Sequence, residues 1–214
     1  MDSGLSKLVP VLTNPGRVPL LKVDPARPCG GRMKGYGLLH LLEYAETTYG
    51  PGALTAWSDA LPLPLRGFAT TKAQLTSIGW LPVELYFSAL EHLVTTQHQG
   101  DPRSAIVMGH AMATRAISSF FRAAMGFVTP PTLFSLAGRF WRSSFDFGTL
   151  EVTKNTPPTA EVEVRDWPLM AQSAYYELGG TFIAWMEASK AKEVRFTRFE
   201  LTRAPALVVA VEWT

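Results

Sequence analysis

The chain has 214 residues, of which 47% are hydrophobic and 18% are charged, and its formal net charge is +2 at pH 7. This length suffices for one large domain with an extensive core. The near-neutral charge argues against a surface built to bind nucleic acid. Neither a membrane-spanning apolar stretch nor a signal peptide is recognisable, so we expect a cytoplasmic protein without a membrane span.

Residues 1–32 are predicted to form an extended, proline-rich arm. Five prolines between Pro10 and Pro28 leave no room for a stable helix. Apolar clusters at 8–12 and 18–23 predict that the arm lies on the body of the protein or on a partner. The single cysteine, Cys29, excludes an internal disulfide and a multi-cysteine zinc site, and no nearby histidine would activate it as a nucleophile.

Helical periodicity dominates the chain from residue 34 to residue 144. Apolar residues recur every three to four positions, and glycine and proline mark the boundaries between segments. This pattern predicts helices at 34–49, 53–61, 80–99, 102–126 and 132–144.

From Thr149 the apolar period changes to two, which is typical of strands with one buried face. The pattern predicts a hairpin, then a helix, then two further strands, at 149–153, 160–165, 168–190, 194–201 and 206–213. The predicted fold class is therefore α+β, in which helices cover one face of a four-stranded antiparallel sheet of order β-β-α-β-β. Residues 33–214 are predicted to form a single domain.

Sequence signatures of catalysis are absent. The chain lacks a G-x-S-x-G elbow, an H-E-x-x-H zinc motif, a P-loop and a G-x-G-x-x-G turn after a strand. Glu161 and Glu163 share one side of a strand, but their alternation with valines predicts the solvent face. We therefore predict that the protein is not an enzyme.

The histidines offer the remaining polar candidates for a site. His110 falls on an apolar stripe of its predicted helix, which fits either a hydrogen-bonded core histidine or a group in a pocket. The same alternatives apply to His40. His92 and His98 are predicted to lie on the surface, and no two histidines have the spacing of metal ligands on one helix.

Aromatic residues offer a second candidate. Trp141, Phe145 and Phe147 belong to a dense aromatic run at the junction between the helical half and the sheet. Such a cluster can either fill a core or line an apolar cavity.

Several short strings occur in a recognisable order: Met33-Lys34-Gly35, Tyr49-Gly50-Pro51 with Trp57 after it, Gly100-Asp101-Pro102, Gly148 to Val152, and Val211-Glu212-Trp213. Together they resemble the heme nitric-oxide/oxygen-binding (H-NOX) superfamily and its heme-free relatives, the four-vinyl-reductase type ligand-binding domains and the TRAPP vesicle-tethering subunits. The chain looks most similar to a domain family expanded in myxobacteria. The resemblance covers about residues 33–214.

The resemblance implies positions for a heme site, and the residues there do not match. In heme-binding members a histidine near the end of the helix before the hairpin ligates iron, and the corresponding residue is Phe145, which cannot donate to iron. The Tyr-x-Ser-x-Arg motif that holds the propionates corresponds to residues 163–167, where Glu163 would repel them. We therefore predict a heme-free domain with no cofactor and no metal.

Two functions remain open on the sequence. The first is a non-enzymatic sensory or ligand-binding domain that holds a small apolar molecule between helices and sheet, near Trp141, Phe145, Phe147 and His110. The second is a TRAPP-like interaction or scaffold module with a filled pocket, in which the arm at 1–32 contacts a protein partner or a second copy in a homodimer.

Overall fold

The computed structural model describes residues 30–63, 65–66, 79–117, 128–167, 172–201 and 206–214. Residues 1–29 of the predicted arm lie outside this described part, as do the predicted end of the long helix near Gly126 and the start of the helix at 168. Within the described residues, no helix is both long enough and apolar enough to cross a membrane.

The described helical half begins at a short strand and ends at the helix that precedes the sheet. Its elements are β1 (Arg32–Lys34), α1 (Gly35–Tyr49), α2 (Thr55–Ala60), β2 (Trp80–Pro82), α3 (Val83–Gln97), a 3₁₀ turn (Pro102–Ser104), α4 (Ala105–Ala116) and α5 (Pro130–Ser144).

The predicted helix at 80–99 begins later than expected, at Val83. Residues 80–82 instead form β2, which pairs antiparallel with β1 so that Met33 lies opposite Leu81. This pairing joins segments that are distant in the chain, so local periodicity could not indicate it. Helix α5 begins earlier than expected, at Pro130, because proline is tolerated in the first turn of a helix.

The second half of the chain forms the sheet and one more helix. Its elements are β3 (Thr149–Thr156), β4 (Thr159–Arg165), α6 (Gln172–Ala188), β5 (Arg195–Leu201) and β6 (Leu207–Glu212). The strands lie in the order β3-β4-β6-β5, and every neighbouring pair is antiparallel. This arrangement confirms the predicted α+β fold with its β-β-α-β-β order.

The two faces of β4 are occupied as the alternation predicted. Val162 and Val164 are fully buried. Glu161 and Glu163 face outward, where they form ion pairs with Arg198 and Arg165 at 3.6 and 2.8 Å. These glutamates therefore belong to the charged face of the sheet.

Helices α4 and α6 cross with their backbones in contact. A Cβ atom on Gly109 would lie 2.0 Å from the carbonyl oxygen of Glu177, and a Cβ atom on Gly180 would lie 2.0 Å from the carbonyl oxygen of Ile106. Both distances are far below a van der Waals contact, so glycine is required at each position. This crossing fixes the position of α6, including Glu177.

Candidate functional site

A cavity of about 200 Å³ lies among helices α1, α3, α4, α5 and α6 and reaches the first residues of β3. Its wall is mainly apolar and aromatic, with contributions from Met33, Phe87, Met112, Phe134, Leu150 and Trp167. An engineered apolar cavity of about 150 Å³ in another protein stays dry and binds benzene. The volume here therefore suits a compact apolar molecule.

Helix α5 and the residue that follows it supply part of the aromatic wall. Trp141 is buried, and its Nε1–H donates to the backbone carbonyl of Phe147 at 3.0 Å. The rings of Trp141 and Phe145 have centroids 4.6 Å apart, and Trp167 lies 4.9 Å from Trp141 and 5.8 Å from Phe145. Because Trp141 is tied to the backbone and packed between rings, this wall is ordered without a ligand.

The end of α5 is held against β1. Phe145 forms an isolated antiparallel bridge with Met33. The next residue, Asp146, accepts from the backbone N–H of Arg32 at 2.5 Å and from its guanidinium Nε at 2.6 Å. These contacts place Phe145 on the cavity wall through residues more than a hundred positions away.

The structure brings together part of the predicted site. Trp141 and Phe145 line the cavity. Phe147 is not among its lining residues and packs as an outer layer against Phe145, with ring centroids 5.4 Å apart. The placement of His110 needs correction: it is not among the lining residues, and its Nε2 lies 2.7 Å from a carboxylate oxygen of the exposed Glu187.

The structure also places two other histidines, His98 and His40. His98 was predicted on the surface, but it is half-buried and its Nε2 lies 2.6 Å from the Tyr49 hydroxyl. His40, whose position was left open, lines the cavity. Its buried Nδ1 lies 3.5 Å from a carboxylate oxygen of Glu43 and makes no hydrogen bond within the described residues.

The charged group of the cavity is Glu177 on α6, which the sequence analysis did not single out. Its Oε1 accepts from the Thr181 hydroxyl at 3.0 Å. Burial raises the pKa of this carboxyl from 4.5 to about 7, although interactions with the Tyr86 and Thr181 hydroxyls lower it. The site therefore contains a carboxyl group that changes charge near neutral pH.

Two tyrosines complete the polar part of the cavity. The Tyr36 hydroxyl donates to Ser144 Oγ at 2.6 Å, which links α1 to α5. The Tyr86 hydroxyl lies 3.9 Å from the sulfur of Met112. Burial raises the pKa of both phenols, and Glu177 adds to this effect at each. Both tyrosines are therefore neutral at physiological pH.

A signal for Glu177 was present in the sequence. It is the one charged residue of the stretch 173–186, which is otherwise apolar or uncharged and contains the paired glycines Gly179 and Gly180. A lone carboxylate on an apolar helix is rarely buried unless it is paired. Periodicity places such a residue on a helix but does not show which neighbour it faces.

Among the described residues, no three histidine, cysteine, aspartate or glutamate side chains are grouped so that they could hold a metal ion.

Comparison with known proteins identifies solved H-NOX structures as neighbours of this fold. They include the Fe(II) unliganded H-NOX protein from K. algicida (11% identity, TM-score 0.62, 85% of this chain and 97% of that chain covered). The H-NOX protein from S. oneidensis in the Fe(II)NO ligation state gives 11% identity and a TM-score of 0.62, over 85% of this chain and 99% of that chain. An oxygen-binding H-NOX domain related to soluble guanylate cyclases gives 10% identity and a TM-score of 0.58, over 85% and 95% of the two chains.

No family model matches the chain, and no curated protein matches it. Sequence identities of 10–13% to the solved structures show the fold and no more. The chain therefore has an H-NOX-like α+β fold.

Proposed function

We propose that this chain is a non-enzymatic, heme-free sensory or ligand-binding domain that holds a small apolar molecule between its helices and its sheet. The observation that carries the proposal is the cavity of about 200 Å³, lined mainly by apolar and aromatic side chains, inside an H-NOX-like fold. Neighbours of this fold include an NO-ligated and an oxygen-binding domain, so a ligand-binding role agrees with the architecture.

Three observations support a ligand other than heme. Phe145 lines the cavity at the position where the resemblance implies an iron ligand. The volume lies below the roughly 300–1,000 Å³ of pockets for drug-sized ligands, and heme is larger than most of these. Glu177 places a carboxyl group in the wall, which disfavours an anionic porphyrin.

Heme titration followed by visible spectroscopy tests this part of the proposal. We expect no saturable Soret shift. A Soret band that forms stoichiometrically and is lost in His40→Ala, which removes the imidazole on the cavity wall, would contradict the heme-free proposal. His110→Ala is the control, because His110 is not among the lining residues.

Native mass spectrometry of the purified protein and a thermal-shift screen of small apolar compounds test the ligand-binding proposal. We expect a co-purifying or added compound to bind, and Ala137→Leu, which fills the cavity, to weaken that binding at least tenfold. Ser135→Leu adds the same side chain at an exposed position of α5 and should leave binding unchanged. Absence of any bound compound in both assays would overturn the proposal.

A second candidate function is protein interaction through the arm at 1–32, either with a partner or in a homodimer. The observation that favours it is Trp80, a 37% exposed indole on β2, the strand that pairs with the end of the arm. Size-exclusion chromatography with light scattering, before and after deletion of residues 1–29, tests it. A monomer in both cases, with unchanged stability, would contradict this function.

A further inference from the structure

We propose that the cavity selects a compact apolar molecule carrying a hydrogen-bond donor, best a primary amine, which binds against Glu177, and that it rejects carboxylates of the same size. This inference rests on the proposed ligand-binding function and specifies the chemical class of the ligand.

The charge balance of the cavity wall favours a ligand that carries a donor or a positive charge. Glu177 is the one carboxylate among the described residues that line the cavity, and none of those residues is lysine or arginine. A carboxylate has about four acceptor sites on its two oxygens. The Thr181 hydroxyl at 3.0 Å occupies one site on Oε1 and the Tyr86 hydroxyl also interacts with the carboxyl group, which leaves acceptor capacity for a ligand. A ligand that brings a donor into the cavity would fill this capacity, and a ligand that brings a cation would also balance the charge.

Desolvation of Glu177 also favours a cationic ligand. Glu177 is half-buried in the cavity wall, and burial raises the pKa of its carboxyl group, so folding has already removed much of its hydration. An entering ammonium group therefore meets a carboxylate whose desolvation cost is already part of the folding free energy. A carboxylate ligand would instead place two like charges in one weakly solvated space, which strongly disfavours ionisation of both.

The aromatic wall of the cavity favours a ring in the remainder of the ligand. The wall formed by Trp141, Phe145 and Trp167 presents aromatic rings with centroids 4.6–5.8 Å from one another. Such a wall favours an aromatic ring in an offset or edge-to-face arrangement. A single ring with a short side chain that ends in an amine fits this volume and this chemistry.

Because the carboxyl group of Glu177 changes charge near neutral pH, its effect on ligand selectivity can be measured by varying the pH. The groups that face the carboxyl group of Glu177 are Tyr36 on α1, Tyr86 on α3 and Thr181 on its own helix, and His40 lines the same cavity. The tyrosines stay neutral because burial raises the pKa of each. Raising the pH from 6 to 8 ionises Glu177, and this change strengthens amine binding.

Isothermal titration calorimetry on the full chain at pH 8 tests the inference with 2-phenylethylamine, 2-phenylethanol and phenylacetate, which share a ring and differ in the terminal group. We expect the amine to bind at least tenfold more tightly than phenylacetate. This preference should disappear in Glu177→Gln. It should persist in Glu91→Gln, because burial also raises the pKa of Glu91 to about 7 but Glu91 is not among the lining residues.

The wild-type pH profile provides a second measurement that needs no variant. An alkylamine stays protonated below about pH 9, as a lysine side chain does, so a gain in amine affinity from pH 6 to pH 8 reports on the protein. We expect a gain of at least fivefold for the amine and less than twofold for the alcohol.

The outcomes distinguish this inference from the proposed function. Phenylacetate bound as tightly as the amine at pH 8, or an amine preference that survives in Glu177→Gln, would overturn the inference and leave the ligand-binding function standing. Failure of all three probes and of ethylbenzene to bind, together with a negative native mass spectrum, would overturn both.

Discussion

Helix α6 makes two opposite kinds of contact with its neighbours. Against α4, Gly109 and Gly180 allow backbones to touch, with no room for a methyl group. Towards α1 and α5, the same helix presents Thr181, Phe182 and Trp185 to a cavity of about 200 Å³. The close α4–α6 crossing holds α6 in place on one side, so that a cavity can persist on its other side without collapse.

The largest expected effect comes from substitutions at the close crossing of α4 and α6. Gly109→Ala or Gly180→Ala would place a Cβ atom 2.0 Å from a backbone oxygen, which no rotamer change can relieve. We expect each substitution to lower the free energy of unfolding by about 3 kcal/mol, at the upper end of the usual cost of overpacking. Urea denaturation followed by circular dichroism measures the change.

Gly37→Ala is the matched control on the cavity side. Its Cβ atom would meet the terminal methyl group of Met33 at 2.3 Å, and that flexible side chain can move into the cavity. Alanine also favours the helix over glycine by about 1 kcal/mol, so we expect no loss of stability. Equal destabilisation by all three substitutions would contradict the difference between the close α4–α6 crossing and the cavity on the other side of α6.

The next largest effect concerns the charge of Glu177 in the cavity wall. The pKa of Glu177 is about 7 in the folded protein and 4.5 without burial, so the folded state retains a proton that the unfolded chain has lost between these values. Stability therefore falls as the pH rises through this window, and the cost is largest above pH 7. Glu177→Gln should raise the free energy of unfolding by about 1–3 kcal/mol at pH 8.

The same substitution should have little effect at pH 5, where Glu177 is protonated and resembles glutamine. Urea denaturation at both pH values measures the difference. A gain of equal size at pH 5 and pH 8 would show that charge on Glu177 is not the cause.

The smallest effect concerns the unfilled volume. Ala137→Leu should add apolar contacts in the cavity and raise the free energy of unfolding by about 1 kcal/mol. Ser135→Leu, on the exposed side of the same helix, should change it by less than about 0.5 kcal/mol. Thermal unfolding of both variants would show whether the cavity is open; a loss of stability in Ala137→Leu would show that it is not.

Local pattern predicted most of the fold. The change of period at Thr149 indicated the β-β-α-β-β order, and the valines of β4 indicated its buried face. The prediction was wrong where two strands that are distant in the chain pair with each other. The strand at Trp80–Pro82 exists because β1 lies beside it, and a periodicity limited to neighbouring residues contains no such information.

The site was less predictable than the fold. Trp141 and Phe145, which belong to the aromatic run singled out in the sequence, are among the residues that line the cavity. His110 was predicted on an apolar stripe of its helix, but its Nε2 lies 2.7 Å from a carboxylate oxygen of the exposed Glu187 on α6. Glu177 was missed because its place in the cavity wall depends on how α1, α3 and α5 pack around it, which the sequence pattern of α6 does not show.

By itself the sequence determined most of the secondary structure and the fold class. These properties follow from local periodicity and turn residues. Only the tertiary structure decided that a cavity exists, that Glu177 lines it and that His110 does not. Those properties depend on the distance between helix backbones, which Gly109 and Gly180 set at one crossing.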